Sequence, residues 1–207
     1  MTPFLRLEGV AAPMPIDNVD TDAIIPSRET QSVVRTGYGE KLFANWRYRP
    51  GTREPDPAFV LNQPPFDQAR ILVAARNFGC GSSREAAVWA LQQFGIACVI
   101  AESFGAIFRN NCVRNGLLPV SLSLPEVQRL LDELQKAGGA RRMDVDLEAC
   151  RVRAPGGAEF AFRIGALERE MLLKGADEIA LTLSRRAQIE AFRDRDRRAR
   201  PWVYATA

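Results

Sequence analysis

The residues best suited to chemistry lie in the segment 77–85, which reads Asn-Phe-Gly-Cys-Gly-Ser-Ser-Arg-Glu. Its two glycines allow a tight turn and let backbone amides approach a ligand closely. Ser82 and Glu85 have the S-x-x-E spacing of a capping box, which predicts that a helix begins here. The amides and dipole of a helix start favour an anion, and the planar guanidinium of Arg84 matches a carboxylate or a phosphate. The segment therefore predicts an anion-binding loop at a helix N-terminus.

The sequence excludes two nucleotide-binding motifs. Arg84 occupies the position at which a dinucleotide-binding fingerprint needs its third glycine. No G-x-x-x-x-G-K-[ST] motif occurs anywhere in the chain. Glycine loops followed by a serine cap also occur in α/β proteins without any catalytic role, so the segment alone leaves a purely structural interpretation open.

A second polar segment imitates the ligand spacing of a calcium-binding loop through Asn18, Asp20, Asp22 and Glu29. Ala23 occupies the position that requires glycine, and Pro26 falls inside the loop, so calcium is not expected. The alternative is a turn in which Asx and Thr side chains bond their own backbone. In that case Ile24 and Ile25 anchor the turn in the core.

The cysteines do not suggest a metal site. Cys80, Cys98, Cys112 and Cys150 lie far apart, no C-x-x-C pair is present, and the chain contains no histidine. We therefore expect this chain to bind neither zinc nor an iron–sulfur cluster. Cys80 lies in the glycine loop, but no histidine is available to activate it as a nucleophile.

Composition narrows the class of protein. The chain has 207 residues, 46% of them hydrophobic, and a net charge of +3. The charge is small and mostly dispersed, which argues against nucleic-acid binding, and no apolar run or signal pattern predicts a membrane span or export. We expect one cytoplasmic domain over 1–207, with an irregular proline-rich excursion at 50–65 and a basic tail at 185–207. The arginines of this tail favour either a solvated helix face or a docking surface for another subunit.

Hydrophobic runs and glycine stops predict an α/β chain. A strand over Arg70 to Ala75, a helix over Arg84 to Phe94 and a strand over Ile96 to Ala101 predict a βαβ unit with parallel strands. Strands over Arg151 to Ala154 and Glu159 to Ile164 are expected to form a hairpin. The other expected elements are strands at 4–10, 117–122, 142–145 and 179–183, and helices at 104–115 (capped by Ser103), 125–136, 166–174 and 185–200.

Three segments together carry a family resemblance: Asn-Val-Asp-Thr-Asp-Ala-Ile-Ile-Pro at 18–26, Gly-Ser-Ser-Arg-Glu at 81–85, and Asn-Asn-Cys-Val-Arg-Asn-Gly-Leu-Leu-Pro at 110–119. In this order and spacing, the chain resembles the small-subunit family of 3-isopropylmalate dehydratases in the aconitase superfamily. The resemblance implies the swivelling β/β/α domain of that superfamily, with a partly parallel sheet, a βαβ unit and an additional β-hairpin.

The resemblance also implies a division of labour. The partner is a large subunit that carries a [4Fe-4S] cluster, and the substrate is a dicarboxylic hydroxy acid. Ser82 is then the alkoxide-forming base, Arg84 binds a substrate carboxylate, and Ser83 and the loop amide at Gly81 help to bind substrate. Arg35 matches, less closely, a loop arginine that reaches the distal carboxylate, and the alternative for Arg35 is a wholly structural role. The dehydration itself agrees with this division, because serine, guanidinium and amide groups suit proton removal and carboxylate binding but cannot act as a Lewis acid on the departing hydroxyl.

Departures from the family pattern leave the substrate open. Ala86 stands where the family usually has histidine, and Ser-Arg-Glu-Thr at 27–30 replaces a segment that commonly contains an aromatic residue and leucine. We expect residues 27–36 to select the substrate, with Glu29 and Thr30 less favourable to a bulky isopropyl group if they point inward. The expected reaction interconverts 2-isopropylmalate and 3-isopropylmalate in leucine biosynthesis. The alternatives are a paralogue acting on citraconate, a methylmalate, dimethylmalate or homoaconitate, and a non-catalytic subunit that retains the fold.

Overall fold

A computed structural model describes residues 1–31, 35–137 and 142–204, which form two four-stranded sheets and the helices around them. The strands are β1 Arg6–Gly9, β2 Ala11–Met14, β3 Ile71–Ala74, β4 Cys98–Ala101, β5 Leu118–Ser121, β6 Met143–Asp146, β7 Arg151–Arg153 and β8 Glu159–Ala161. The α-helices are α1 Thr21–Ile24, α2 Ala44–Arg47, α3 Glu85–Phe94, α4 Ala106–Asn115, α5 Leu124–Ala137, α6 Ala166–Lys174, α7 Glu178–Ser184 and α8 Arg186–Ala199.

The parallel sheet has the strand order β2-β3-β4-β5 and is buried on both faces. Its strands are short apolar runs, as expected where both faces are covered. Alternate residues face two different apolar clusters: Ile71 and Ile100 face one, whereas Leu72 and Val99 face the other. The first cluster includes side chains of α5 and the antiparallel sheet, and the second includes those of α1 and α3. The loop after β3 lies between segments that are distant in sequence, because Phe78 pairs with Phe104 and Cys80 with Asp20.

The predicted fold class is confirmed, and so is its βαβ unit. Strands β3 and β4 pair in parallel with Ile71 opposite Cys98, and α3 lies between them in sequence. Gly116 ends α4 in the left-handed region, as expected of a glycine stop. The antiparallel sheet has the order β1-β6-β7-β8, and β7 and β8 form the expected hairpin with Val152 opposite Phe160.

Two sequence-based expectations were wrong. The segment 179–183 is not a strand but part of the helix α7, because Asp177 caps its start by accepting a hydrogen bond from the Ala180 amide at 2.7 Å. Ser103 does not cap α4, which begins after Gly105; its hydroxyl oxygen instead accepts a hydrogen bond from the Asn77 amide at 2.9 Å. The glycine pair at 138–139, which follows α5 in the sequence, lies outside the described residues.

The excursion at 50–65 is mainly irregular and packs on aromatic residues. Phe43 is fully buried and stacks on Trp46, with ring centroids 5.5 Å apart, and Phe59 from the excursion lies 5.8 Å from Phe43. Asn62 fastens the excursion, because its amide nitrogen donates to the carbonyls of Arg47 and Asp56. In the described part of the chain, no helix is both long and apolar enough to cross a membrane.

Candidate substrate-binding site

The glycine loop after β3 is paired with the polar segment that precedes α1. The Gly79 amide donates to the Val19 carbonyl at 2.7 Å, and the Thr21 amide donates to the Cys80 carbonyl at 2.9 Å. The Thr21 hydroxyl, which is buried, donates to the Ser82 carbonyl at 2.8 Å. Two of the three family segments therefore meet in the structure, and each fixes the backbone of the other.

The polar segment is the expected turn and not a calcium loop. Asp20 caps α1 by accepting a hydrogen bond from the Ala23 amide at 2.7 Å, and Ile24 and Ile25 are fully buried. Because the Asp20 carboxylate caps α1, the carboxylate of this segment that can contact site residues is that of Asp22.

The predicted capping box is wrong, since Ser82 does not cap the helix. Helix α3 begins at Glu85, its N-cap is Arg84 in an extended conformation, and no side chain caps it. The Glu85 carboxylate instead accepts a hydrogen bond from the Asn115 side chain at 2.9 Å. No side chain caps the amides of the first turn of α3, as the anion-binding interpretation requires. Ser82 lies two residues before Arg84, the N-cap.

Arg84 is held by a carboxylate of the polar segment. Its Nη1 and Nη2 donate to the two oxygens of Asp22, the second at 2.8 Å, and Nη1 also donates to the Ile25 carbonyl at 3.2 Å. The hydrogen bond from Arg84 lowers the pKa of the Asp22 carboxyl below its usual value, and a further hydrogen bond from the Ser27 hydroxyl acts in the same direction. Asp22 is therefore ionised at neutral pH and fixes the orientation of the guanidinium.

Arg84 lines a cavity of about 350 Å³ beside the start of α3. Arg35 lines the same cavity, although it lies in a different loop. The other lining residues are Thr30, Tyr38, Glu85, Ala86 and Trp89. The structure thus brings together two arginines that sequence reasoning had assigned to the two ends of one substrate.

Arg35 is placed by an aromatic wall. Its guanidinium carbon lies 4.7 Å from the ring centroid of Trp89, a distance at which a cation and an aromatic face attract. Tyr38 packs edge-on against Trp89 at 5.6 Å, and the Arg35 carbonyl accepts a hydrogen bond from Gln93 at 2.7 Å. The sequence did not predict this role of Trp89, because its position in α3 does not indicate a contact with an arginine of another segment.

The remaining predicted site residues lie on the exposed turn before α3. Gly81 has a φ of +85°, a conformation that glycine adopts readily, and a Cβ there would lie 3.4 Å from the Asp20 side chain. Ser82 and Ser83 are exposed, and neither hydroxyl bonds to another described residue. Neither serine lines the cavity, so in this chain alone the predicted base lies outside the space shared by the two arginines.

The third family segment braces α3 without reaching the cavity. The Asn115 side chain donates to Glu85, and its oxygen accepts a hydrogen bond from the Trp89 indole at 3.0 Å. Its carbonyl accepts a further hydrogen bond from Gln92 at 2.7 Å. Asn115 and Thr21 were thus missed as supports of the site. Their only signal was membership of the family segments.

The substrate-selecting loop divides between two cavities. Thr30 lines the cavity with Arg84, whereas Glu29 turns away and pairs with Arg53 at 2.6 Å. The condition under which Glu29 would disfavour an isopropyl group, that it points into the site, is therefore not met, because this arginine from the excursion holds it in another cavity. Residues 32–34 of the loop lie outside the described part of the chain.

The cysteines of the core are not placed for catalysis. Cys98 in β4 and Cys112 in α4 are fully buried, and burial raises the pKa of both thiols well above its usual value. In the ranges 1–31, 35–137 and 142–204, no three cysteine, aspartate or glutamate side chains are grouped so that they could hold a metal ion. The described cysteines are therefore not grouped as an iron–sulfur cluster would require.

Comparison with known proteins gives the same family over the whole chain. The model of the aconitase C-terminal domain matches residues 1–125, and the LeuD_N model matches 128–166. A 3-isopropylmalate dehydratase small subunit of Cupriavidus necator is 56% identical over 99% of both chains. Another, from Dinoroseobacter shibae, is 48% identical over 98% of this chain and 100% of its own.

A solved structure agrees with these matches. The crystal structure of 3-isopropylmalate dehydratase from Methanocaldococcus jannaschii superposes with a TM-score of 0.66 at 28% identity. The superposition covers 90% of this chain and 99% of the archaeal one. The name of the relatives implies a large-subunit partner, and the family is consistent with an iron–sulfur cluster on that partner. The chain therefore belongs to the family of 3-isopropylmalate dehydratase small subunits in the aconitase superfamily.

Proposed function

We propose that this chain is the small subunit of a hydro-lyase that interconverts 2-isopropylmalate and 3-isopropylmalate through a dehydrated intermediate in leucine biosynthesis. The observation that carries the proposal is the cavity of about 350 Å³ that Arg35 and Arg84 line together in a chain of this family. An isopropylmalate has two carboxylates, and guanidinium groups bind carboxylates with a matching planar geometry. Two arginines in one cavity suit such a substrate.

The roles of the individual residues follow from their chemistry. Arg84 binds the carboxylate next to the reacting carbons, and Arg35 binds the distal one. Ser82 removes the proton, and nearby positive charge stabilises the alkoxide that this requires. The amide of Gly81 and the hydroxyl of Ser83 complete the binding of the carboxylate. The structure supports this arrangement by holding the loop, α1 and α3 together around the two arginines.

The large subunit supplies what this chain lacks. A [4Fe-4S] cluster on that subunit, when bound, provides a Lewis acid for the departing hydroxyl. Closure by the large subunit also brings the exposed turn with Ser82 and the cavity to one substrate. We treat residues 1–207 as one domain, because the parallel sheet contributes side chains to both apolar clusters and so joins them. We place the complex in the cytoplasm, where the four free thiols of this chain remain reduced.

Reconstitution tests this function. The chain and a purified iron–sulfur large subunit of the same family are assayed separately and mixed, with 3-isopropylmalate as substrate and formation of the unsaturated acid as readout. We expect turnover only in the mixture. A stable complex without turnover of any malate would favour the non-catalytic alternative. Turnover of a methylmalate but not of isopropylmalate would favour the paralogous dehydratase.

A further inference from the structure

Asp22 uses only one edge of the Arg84 guanidinium. A guanidinium carries five N–H donors in a fixed plane. In Arg84, one donor of Nη1 and one of Nη2 bond to the two Asp22 oxygens, and the second donor of Nη1 bonds to the Ile25 carbonyl. The two donors left are Nε–H and the second N–H of Nη2. These two lie side by side on the edge that Asp22 does not occupy.

The unoccupied edge is accessible. Among the described residues, none accepts a hydrogen bond from Nε of Arg84. In the same ranges, every fully buried side-chain nitrogen has a hydrogen-bond partner. Nε is therefore not fully buried, and Arg84 lines the cavity that it shares with Arg35. Two parallel N–H groups are the donors that a carboxylate accepts in a bidentate pair.

We propose that Asp22 is a positioning residue, which holds Arg84 by one edge so that the other edge receives a substrate carboxylate. The alternative is that Asp22 occupies the place of the substrate and is displaced when it binds. The hydrogen-bond pattern favours positioning, because the Ile25 carbonyl and Asp22 grip the same end of the guanidinium and leave a complete fork open. This inference rests on the proposed function, since it concerns how that substrate is bound.

Asp22 also connects the arginine to the substrate-selecting loop. The Ser27 hydroxyl donates to Asp22 at 3.0 Å, and Ser27 begins the loop that continues to Thr30 in the cavity. The position of Arg84 is therefore tied to the start of this loop by a continuous chain of hydrogen bonds. A change at Asp22 should be felt as weaker substrate binding more than as a loss of fold, because its side chain is 53% exposed.

The two alternatives predict opposite signs for Asp22→Asn in the assembled enzyme. Asparagine keeps the size of the side chain but replaces one acceptor oxygen by an NH2 group and removes the charge, so the bidentate, charge-assisted grip on Arg84 is lost. If Asp22 positions Arg84, the KM for the malate should rise about tenfold with a smaller change in kcat. If Asp22 competes with the substrate, the KM should fall.

A matched control removes a similar ion pair elsewhere. Arg109 and Glu168 also form a bidentate pair, and Glu168→Gln should leave the KM unchanged. In an Arg84→Lys background, where no fork exists, Asp22→Asn should have little further effect on KM. A lower or unchanged KM for Asp22→Asn, or equal effects in both backgrounds, would overturn the positioning role.

The wild-type assay separates this inference from the proposed function. The comparison uses whichever malate the wild-type complex turns over, so failure on isopropylmalate alone overturns only the proposed substrate. A wild-type complex that turns over none of the malates overturns both.

Discussion

The glycine loop and the C-terminal helices differ in how strongly the rest of the protein determines them. The loop is bonded to the polar segment about sixty residues earlier, and its Phe78 packs against Phe108 of α4, which follows it. Helix α8, by contrast, buries no side chain. Its hydrogen bonds and those of the segment that follows it are local: Arg186 pairs with Glu190, and Tyr204 donates to Asp196. The site is thus fixed by contacts between distant segments, whereas the tail has its structure from neighbouring residues.

The C-terminal helices expose several large apolar side chains, because they pack little against the rest of the protein. Exposed apolar side chains occur along α7, α8 and the residues after them: Ile179, Leu183, Ile189, Phe192, Trp202 and Val203. Trp202 is 78% exposed. The described structure contains nothing that covers these residues, so both interpretations of the tail, a solvated face and a docking surface, are compatible with it.

The largest expected effect on stability comes from adding a side chain to the glycine loop. A Cβ at Gly79 would lie 2.2 Å from the ring of Phe108, and its φ of +71° is unfavourable for alanine. Gly79→Ala should therefore cost about 3 kcal/mol or more in the free energy of unfolding, which urea denaturation measures. Gly51→Ala is the matched control, because Gly51 has a φ of +75° but nothing within 4 Å of its Cβ. Equal losses in the two variants would show that contacts with α4 do not determine the loop.

An intermediate effect is expected at the cavity wall. Thr30→Leu replaces a polar side chain of the cavity by an apolar one, which should raise the ratio of kcat/KM for isopropylmalate over methylmalate by about tenfold. Glu29→Phe, in the neighbouring position, should leave the ratio unchanged, because Glu29 faces Arg53 in a different cavity. Both ratios are measured on the assembled enzyme. If Glu29→Phe shifts the ratio and Thr30→Leu does not, the division of this loop between two cavities is wrong.

The smallest effect is expected in the tail. Phe192→Ala should change the unfolding free energy of the isolated chain by no more than about 0.5 kcal/mol, because the side chain is exposed. Phe78→Ala, in the core, should cost about 3 to 5 kcal/mol. A large loss for Phe192→Ala would contradict the contrast between the two regions. Titration of the variant into the large subunit then distinguishes the two interpretations of the tail, since only a docking surface would weaken the complex.

The sequence revealed features that depend on neighbouring residues better than those that depend on distant ones. The glycine stop at Gly116 and the βαβ unit were predictable because local conformation and apolar runs determine them. The pair of Arg84 with Asp22 was not, because 62 residues separate them and the parallel pairing of β2 with β3 brings them together. The capping box failed for the same reason, since Asn115 from another segment takes the Glu85 carboxylate.

The most direct test of the account compares Ser82→Ala with Ser83→Ala in the assembled enzyme. Both serines are exposed on the same turn, and neither caps α3. The account predicts that Ser82→Ala lowers kcat by about a hundred- to ten-thousandfold while the complex with the large subunit still forms, and that Ser83→Ala lowers it far less. If Ser82→Ala retains most of the wild-type kcat, Ser82 is not the base.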